Sequence, residues 1–468
     1  MSDERCDCLV VGGGPAGCAL AVLLAGRGLS VVLVDHGRAH YSGPNETLLA
    51  SSLPMLERTG LAALLRACAL PDPLRHGAIW GSDTLQWRDD GEPGLWLRRG
   101  SFDAALRVAA TARGVRVVEP ARVALAPRGQ ACGLLLAGGQ RAHVTPAFVA
   151  VATGRTSLAR LVAAHNEASG FRTFACTLVG EPDDADRGTA VVEAVPEGWI
   201  WTHVPPQGPA SACVLLDSEQ VLEQGHGTLV TRALATALGP ARRLRSHRLV
   251  HANDATARCR TTAADVLLLG DAAATIDPLA SQGVEKALAA ADHAAAVLCT
   301  ASRRSDWWPA LRLLHARWER GLFAAHRATA AAFLAQETRF PDAPFWRRRR
   351  ITAAAPPLPP SGALCCAPSV SIGPVLVRQG DQFAEVEGAR DAASGDSLSH
   401  IGYVSVVPLL RVFAVPRALG EATRLAGHDA SLFVLPPRAV HAAILELWHR
   451  GWLMQAPLTP AASAAAHR

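Results

Sequence analysis

An apolar run over residues 8–11 leads directly into Gly12-Gly13-Gly14-Pro15-Ala16-Gly17 and then into an alanine- and leucine-rich stretch. Gly12, Gly14 and Gly17 have the GxGxxG spacing. The first glycine permits a tight turn, the second lets the backbone approach a pyrophosphate, and the third lets helix pack on strand. A helix starting there points free N–H groups and the positive end of its dipole at phosphates. A second apolar run over residues 29–34 ends at Asp35, placed to accept from a ribose hydroxyl. Strand, helix, strand and terminal acid coincide, so the spacing predicts a β-α-β dinucleotide-binding unit.

A second motif selects among dinucleotides. Leu267-Leu268-Leu269 runs into Gly270-Asp271-Ala272-Ala273, followed by Asp277-Pro278-Leu279-Ala280-Ser281-Gln282-Gly283. A Gly-Asp pair ending an apolar strand resembles the flavin-ribityl motif of the hydroxylase-type flavoproteins. Arg99-Gly100-Ser101-Phe102-Asp103 resembles their R-x-x-F-D, and Ala152-Thr153-Gly154-Arg155 their A-T-G turn. The resemblance covers residues 6–298. It implies bound FAD, with Asp271 on the ribityl chain, Pro278 and Gln282 beside the isoalloxazine, and a helix N-terminus at Gly283 favouring the anionic reduced flavin. The implied cofactor set is Gly12, Gly14, Gly17, Asp35, Arg99, Gly270, Asp271, Pro278, Gln282 and Gly283. No second GxGxxG is visible, so NADH or NADPH would act as a transient reductant, or a separate reductase would supply the electrons.

At 468 residues the chain is long enough for two or three domains. The expected class is α/β: a Rossmann-type FAD-binding domain with an inserted antiparallel β-sheet substrate domain and a small α+β C-terminal domain. Residues 1–170 and 251–350 are assigned to the FAD-binding domain, 171–250 to the inserted sheet, 351–362 to a linker and 363–468 to the C-terminal domain. The linker contains Pro356-Pro357 and Pro359-Pro360, which disfavour regular structure. Beyond it, residues 375–386 and 404–415 read as strand-rich, with Pro408 arguing for an edge or a break in the second. Residues 437–448 read as an amphipathic helix ending in Gly451-Trp452-Leu453, which resembles the end of a winged-helix module. This domain binds a partner or merely covers the body.

Gly198-Trp199-Ile200-Trp201-Thr202-His203-Val204-Pro205 resembles the W-x-W-x-I-P signature of flavin-dependent halogenases, with one extra residue before the apolar-Pro pair. On a strand Trp199, Trp201 and His203 share one face, either lining a substrate chamber or forming a packed aromatic layer. Halogenases of that type pass hypochlorous acid to a catalytic lysine. The single lysine here, Lys286, lies just inside the helix after Gly283, and Ser281-Gln282-Gly283 departs from their Ser-Thr-Gly. Asn45-Glu46-Thr47-Leu48 and the segment 277–283 look more like the flavoproteins that mature peptide-derived quinone cofactors, although Leu49 and Ala50 stand where related patterns have two prolines. This branch implies an NAD(P)H- and O2-dependent monooxygenase acting through a C4a-hydroperoxide on a tryptophan of a partner polypeptide, such as an amine dehydrogenase small subunit. Halogenation or hydroxylation of a small aromatic is the alternative. Trp199, Trp201, His203 and Glu46 are the candidate catalytic residues, with His203 or Glu46 assisting proton movement or serving structure alone.

Composition narrows the field further. A net charge of +5 is small for this length and excludes a nucleic-acid footprint. The eleven cysteines show neither metal-ligand spacing nor a disulfide framework. Cys6 and Cys8 read as buried thiols of the first strand. No apolar window reaches the ~18 residues of a membrane span, and the charged N-terminus runs straight into a strand, so no membrane partner and a cytoplasmic location are expected. Arg347 to Arg350 form a basic cluster before the linker, able to attract an acidic partner or simply solvated at a helix end.

Overall fold

The computed structural model describes residues 4–37, 46–48, 52–70, 75–88, 95–155, 157–168, 170–262, 264–280, 282–350, 360, 362–426, 429, 432 and 435–456. Contacts divide the chain into two compact units, Met1–Thr352 and Ala353–Arg468.

In the first unit, β1 (Glu4–Val11) leads through α1 (Pro15–Gly26) to β2 (Val31–Val34), which lies parallel to β1. The parallel sheet runs in the order Arg116–Val118, β2, β1, Arg141–Val151, Leu267–Leu268. Continuous apolar runs suit strands covered on both faces, and Cys8 to Val11 and all of β2 are buried accordingly. α1 is buried from Ala16 to Leu24 and lies beside the long helix Gly283–Arg303. Its uniformly apolar sequence matches a helix with little exposed face. Burial pushes the Cys6 thiol up to about 12, so it packs as an apolar group, and all eleven cysteines are free.

A second sheet has the order Arg245–Asp254, Thr173–Glu181, Ala210–Asp217, Gly198–Val204, Thr189–Val195, Arg75–Ile79, Gln86–Trp87. Its neighbours are antiparallel except where Thr189–Val195 meets Arg75–Ile79. The chain enters this sheet twice. Two strands precede residue 171 and one runs on to Asp254, so the sheet is wider than the 171–250 insertion expected from the sequence. One face, with Ile200, Val204 and Val214, packs on Leu229 and Ala233 of the helix His226–Thr236. The other, with Trp199 and Leu215, packs on Leu279, Leu334 and Trp346. That second face therefore looks toward the segment after Gly270-Asp271.

Two of the four clustered arginines are engaged inside this unit. Arg349 is buried, hydrogen-bonded to Asp217, Thr173 and the Arg172 carbonyl, and set against the rings of Phe345 and Phe171. Arg348 pairs with Asp217 and Glu219. Arg348 and Arg349 are thus engaged within the fold, while Arg347 and Arg350 are exposed.

The second unit holds a hairpin, Val370–Gln379 with Gln382–Asp391, and a small sheet of Arg417–Ala418, Ala363–Cys366 and Leu453–Gln455. The helices Val406–Val412, Leu419–Ala426 and Pro437–His449 surround a core that includes Leu410, Phe413, Ile444 and Trp452. Residues 404–415 were expected as strand, but Val406–Val412 is helical. Pro408 falls in the first helical turn, where a missing N–H costs nothing because no carbonyl awaits it. The linker lies almost entirely outside the described residues. No helix among the described residues is long and apolar enough to cross a membrane.

Candidate active site

The glycine loop leaves β1 where neighbouring strands depart in opposite directions across the sheet, the crevice in which such sheets bind ligands. Gly12 has φ +114°, and a Cβ there would stand 2.4 Å from the Ala152 carbonyl oxygen. A Cβ on Gly17 would stand 1.9 Å from the Gly12 carbonyl oxygen, so helix and loop touch through backbone. Gly14 differs: it is the N-cap of α1, no side chain caps the helix, and a Cβ there would meet nothing within 4 Å. Uncapped N–H groups beside open space fit a pyrophosphate.

Asp35, at the end of β2, is buried and holds the loop. Its Oδ2 accepts from the Gly13 N–H at 2.5 Å and its Oδ1 from the Gly37 N–H at 2.9 Å. Burial raises its pKa, but hydrogen bonds from His36, Gly13 and Gly37 outweigh this and hold the carboxyl below its usual range.

The second motif closes on the first. Gly270 has φ +62°, and a Cβ there would lie 2.8 Å from the Ala16 side chain, so the Gly270-Asp271 turn sits against the start of α1. Arg260 donates to the Asp271 carbonyl and secures the turn's backbone. The Asp271 side chain remains 43% exposed, with the Lys286 ammonium 4.0 Å behind it. Pro278 lies in a short 3-10 turn, Gln282 is the N-cap of Gly283–Arg303, and Gly283 is exposed at its head. Asn45, Leu49, Ala50 and Ser281 lie outside the described residues, as does the Thr47 side chain.

Arg99 opens the helix Arg99–Ala112 and is clamped between two carboxylates, Glu46 at 2.5 Å and Asp103 at 2.8 Å. Burial pushes the Glu46 carboxyl up although Arg99 pulls it down. Glu46 is thus tied into an ion pair rather than standing free as a base.

Trp199, Trp201 and His203 do share a face of Gly198–Val204. Trp199 is buried in the apolar layer containing Leu279 and Leu334, and Trp201 packs at its margin. His203 is buried, edge-on to Trp201 and to Trp96. Nearby, a cavity of about 370 Å³ is lined by Phe171, Ile276, Asp277, Phe323, His326 and Leu334, among others. Leu334 belongs both to this lining and to the Trp199 layer. Burial pushes the Asp277 carboxyl up and the His326 imidazole down, so both favour their neutral forms.

Residues 5–306 match the model of the FAD-binding domain family. The chain belongs to that family. Family membership, the uncapped loop at Gly14 and the two converging glycine turns agree on FAD as cofactor. A tryptophan 2-halogenase of Chondromyces crocatus is 27% identical over 325 residues, which cover 62% of this chain and 60% of the halogenase. Among solved structures, a peptidyl tryptophan dihydroxylase essential for tryptophylquinone cofactor biogenesis, QhpG, superposes with TM-score 0.69 and 25% identity over 96% of this chain and 100% of its own. The flavin-dependent halogenase CmlS superposes with TM-score 0.73 and 20% identity over 96% of each chain. The FAD-dependent monooxygenase and halogenase fold is therefore the fold of this chain.

Sequence reasoning passed over Asp277 and His326 as side chains, and over Glu319 entirely. Glu319 is buried near Lys286, in the helix Trp308–Gln336, and burial raises its carboxyl to about 7. The only sequence signal for that corner was the single lysine itself, three positions after Gly283.

Proposed function

We propose that the chain is an FAD-dependent monooxygenase that hydroxylates a tryptophan side chain of a partner polypeptide during tryptophylquinone cofactor formation, with NADH or NADPH supplying the electrons. The observation that carries this reading is the likeness to the peptidyl tryptophan dihydroxylase, which spans the whole of that protein at 25% identity. Bound FAD, once reduced, supplies the activation of O2. In balance, one oxygen atom replaces a ring hydrogen of the indole as hydroxyl, the other leaves as water, and the reductant gives two electrons.

The residues of the chain have the remaining tasks. Gly12, Gly14 and Gly17 with Asp35 hold the dinucleotide, and Asp271 accepts from the ribityl chain. Arg99 stays fixed by Glu46 and Asp103 at the edge of the site. Pro278, Gln282 and Gly283 border the isoalloxazine. The cavity lined by Phe171, Ile276, Phe323 and Leu334 receives the indole between apolar walls, and Asp277 keeps a proton there above the usual carboxylate range. Electron-rich indole needs no strong base, which suits a cavity where burial holds Asp277 and His326 toward their neutral forms. A cytoplasmic location accords with eleven free thiols.

A halogenase reading has support in the tryptophan 2-halogenase relative. Against it stands Lys286, whose side chain is 0% exposed and faces Asp271. A lysine that captures hypochlorous acid must reach a substrate chamber, and the chain has no other. The deciding experiment supplies the purified protein with FAD, a reductant, O2, bromide and an amine dehydrogenase small subunit. Mass spectrometry is expected to show gains of oxygen on tryptophan. Brominated product, or free tryptophan turned over better than the polypeptide, overturns the proposal.

A further inference from the structure

Lys286 sits where a lysine is hardest to keep. Its side chain is fully buried, and its ammonium finds no hydrogen-bond partner among the described residues. It also lies in the first turn of the helix Gly283–Arg303, where the helix dipole opposes a positive charge. A buried, unpaired ammonium costs several kcal/mol or gives up its proton, so a nearby negative charge has to offset this. The nearest acid is Asp271, its Oδ1 4.0 Å away and its side chain 43% exposed. Glu319, on the helix Trp308–Gln336, feels the Lys286 charge and the Gly270 N–H, though neither of its oxygens has a partner of good hydrogen-bond geometry among the described residues.

The remaining neighbours do not replace this pairing. Arg260 bonds the carbonyls of Asp271 and Ala272, not the Asp271 carboxylate. His326 and the Cys259 thiol, from the helix and the strand packed alongside, are both held toward their neutral forms by burial. Asp271 and Glu319 repel each other, and Lys286 attracts both. Without it, the half-exposed carboxylate would lose its tether and face a second acid.

We propose that Lys286 is a positioning residue of the FAD site, holding the Asp271 carboxylate from behind so that its exposed oxygen is fixed for the cofactor. This rests on FAD binding, not on the proposed tryptophan substrate, so its failure leaves that reading untouched. The arrangement also accounts for the single lysine in a chain otherwise using arginine: a planar guanidinium needs more room and more acceptors than this corner offers.

Because the chain has one lysine, 13C-labelled lysine gives one Cε resonance. Titrating FAD into the apoprotein is expected to shift that resonance in step with binding. A resonance that stays put to saturation overturns the proposal with the unaltered protein. Lys286→Met is expected to weaken FAD about tenfold or more, the scale of a lost charge-assisted contact. Lys286→Met with Glu319→Gln removes both buried charges and protects against a variant that fails to fold. Support requires the double variant to regain wild-type thermal stability as apoprotein while still binding FAD about tenfold or more weakly. Wild-type FAD affinity in either folded variant makes Lys286 a mere structural charge and sinks the idea.

Discussion

Two glycine turns end parallel strands of the same sheet, and each lies against an acid, yet they are built in opposite ways. In the Gly12–Gly17 loop, Asp35 is buried and accepts from backbone N–H groups through both oxygens. In the Gly270-Asp271 turn, the acid is half-exposed and its nearest cation stands 4.0 Å away. The first is fixed by short, directional bonds to backbone. The second has a balance of charges around it, the buried Lys286 against the half-exposed Asp271 and the buried Glu319. Steric and hydrogen-bond constraints can fix a turn outright, whereas the half-exposed Asp271 carboxylate has no such short bonds among the described residues to hold it. It is held from a distance instead.

The largest effect should come from breaking the first turn through its backbone. Gly17→Val would push a side chain into the Gly12 carbonyl, which cannot yield, and about 3 kcal/mol or more of stability should be lost. Little folded, yellow protein is then expected. Gly14→Val should separate folding from binding, because a Cβ there meets nothing within 4 Å. Its apoprotein should melt close to wild type while remaining colourless with added FAD. A yellow Gly14→Val protein would show that the phosphates lie elsewhere.

Asp35→Asn tests the next contrast. It keeps the shape but loses a charge-assisted acceptor for the Gly13 N–H, at a cost of about 2 kcal/mol near neutral pH. The sign with pH follows from the lowered carboxyl. A depressed acid contributes stability above its unfolded value of 3.8, and loses it as pH falls through the folded value. The gap between wild type and Asp35→Asn in thermal unfolding should therefore close in strong acid. A gap independent of pH would assign the effect to shape rather than charge.

The first turn was legible because each of its residues has a local task. Glycine at 12 answers a positive φ and a carbonyl at 2.4 Å, and Asp35 ends an apolar strand at a fixed distance along the chain. Gly270-Asp271 stood out instead through its resemblance to the flavin-ribityl motif at the end of an apolar strand. The rest depended on contacts distant in sequence. Glu319 meets the turn from a helix of 29 residues whose pattern shows nothing unusual there. Arg349 looked like a solvated helix end until Asp217 and the ring of Phe345 enclosed it. Pro408 misled because the same residue marks a strand break and a first helical turn, and only the packing of Val406, Leu409 and Leu410 decides between them.

The sharpest test of the comparison is the pH response of the second turn. Burial raises Glu319 from 4.5 to about 7, opposite in direction to Asp35. Below about pH 4.5 the carboxyl is protonated in both folded and unfolded chains and costs nothing. As pH rises, the unfolded chain releases the proton first, so stability fully present below the unfolded value is lost as pH approaches and passes the folded one. Glu319→Gln mimics the protonated acid throughout. Thermal unfolding of the apoproteins should find variant and wild type alike near pH 4.5, with the variant pulling ahead until about pH 7 and the difference constant above it. Were the variant instead less stable at high pH, Glu319 would be ionised and paired with Lys286. The second turn would then be held by a closed salt bridge rather than by a balance left open toward Asp271.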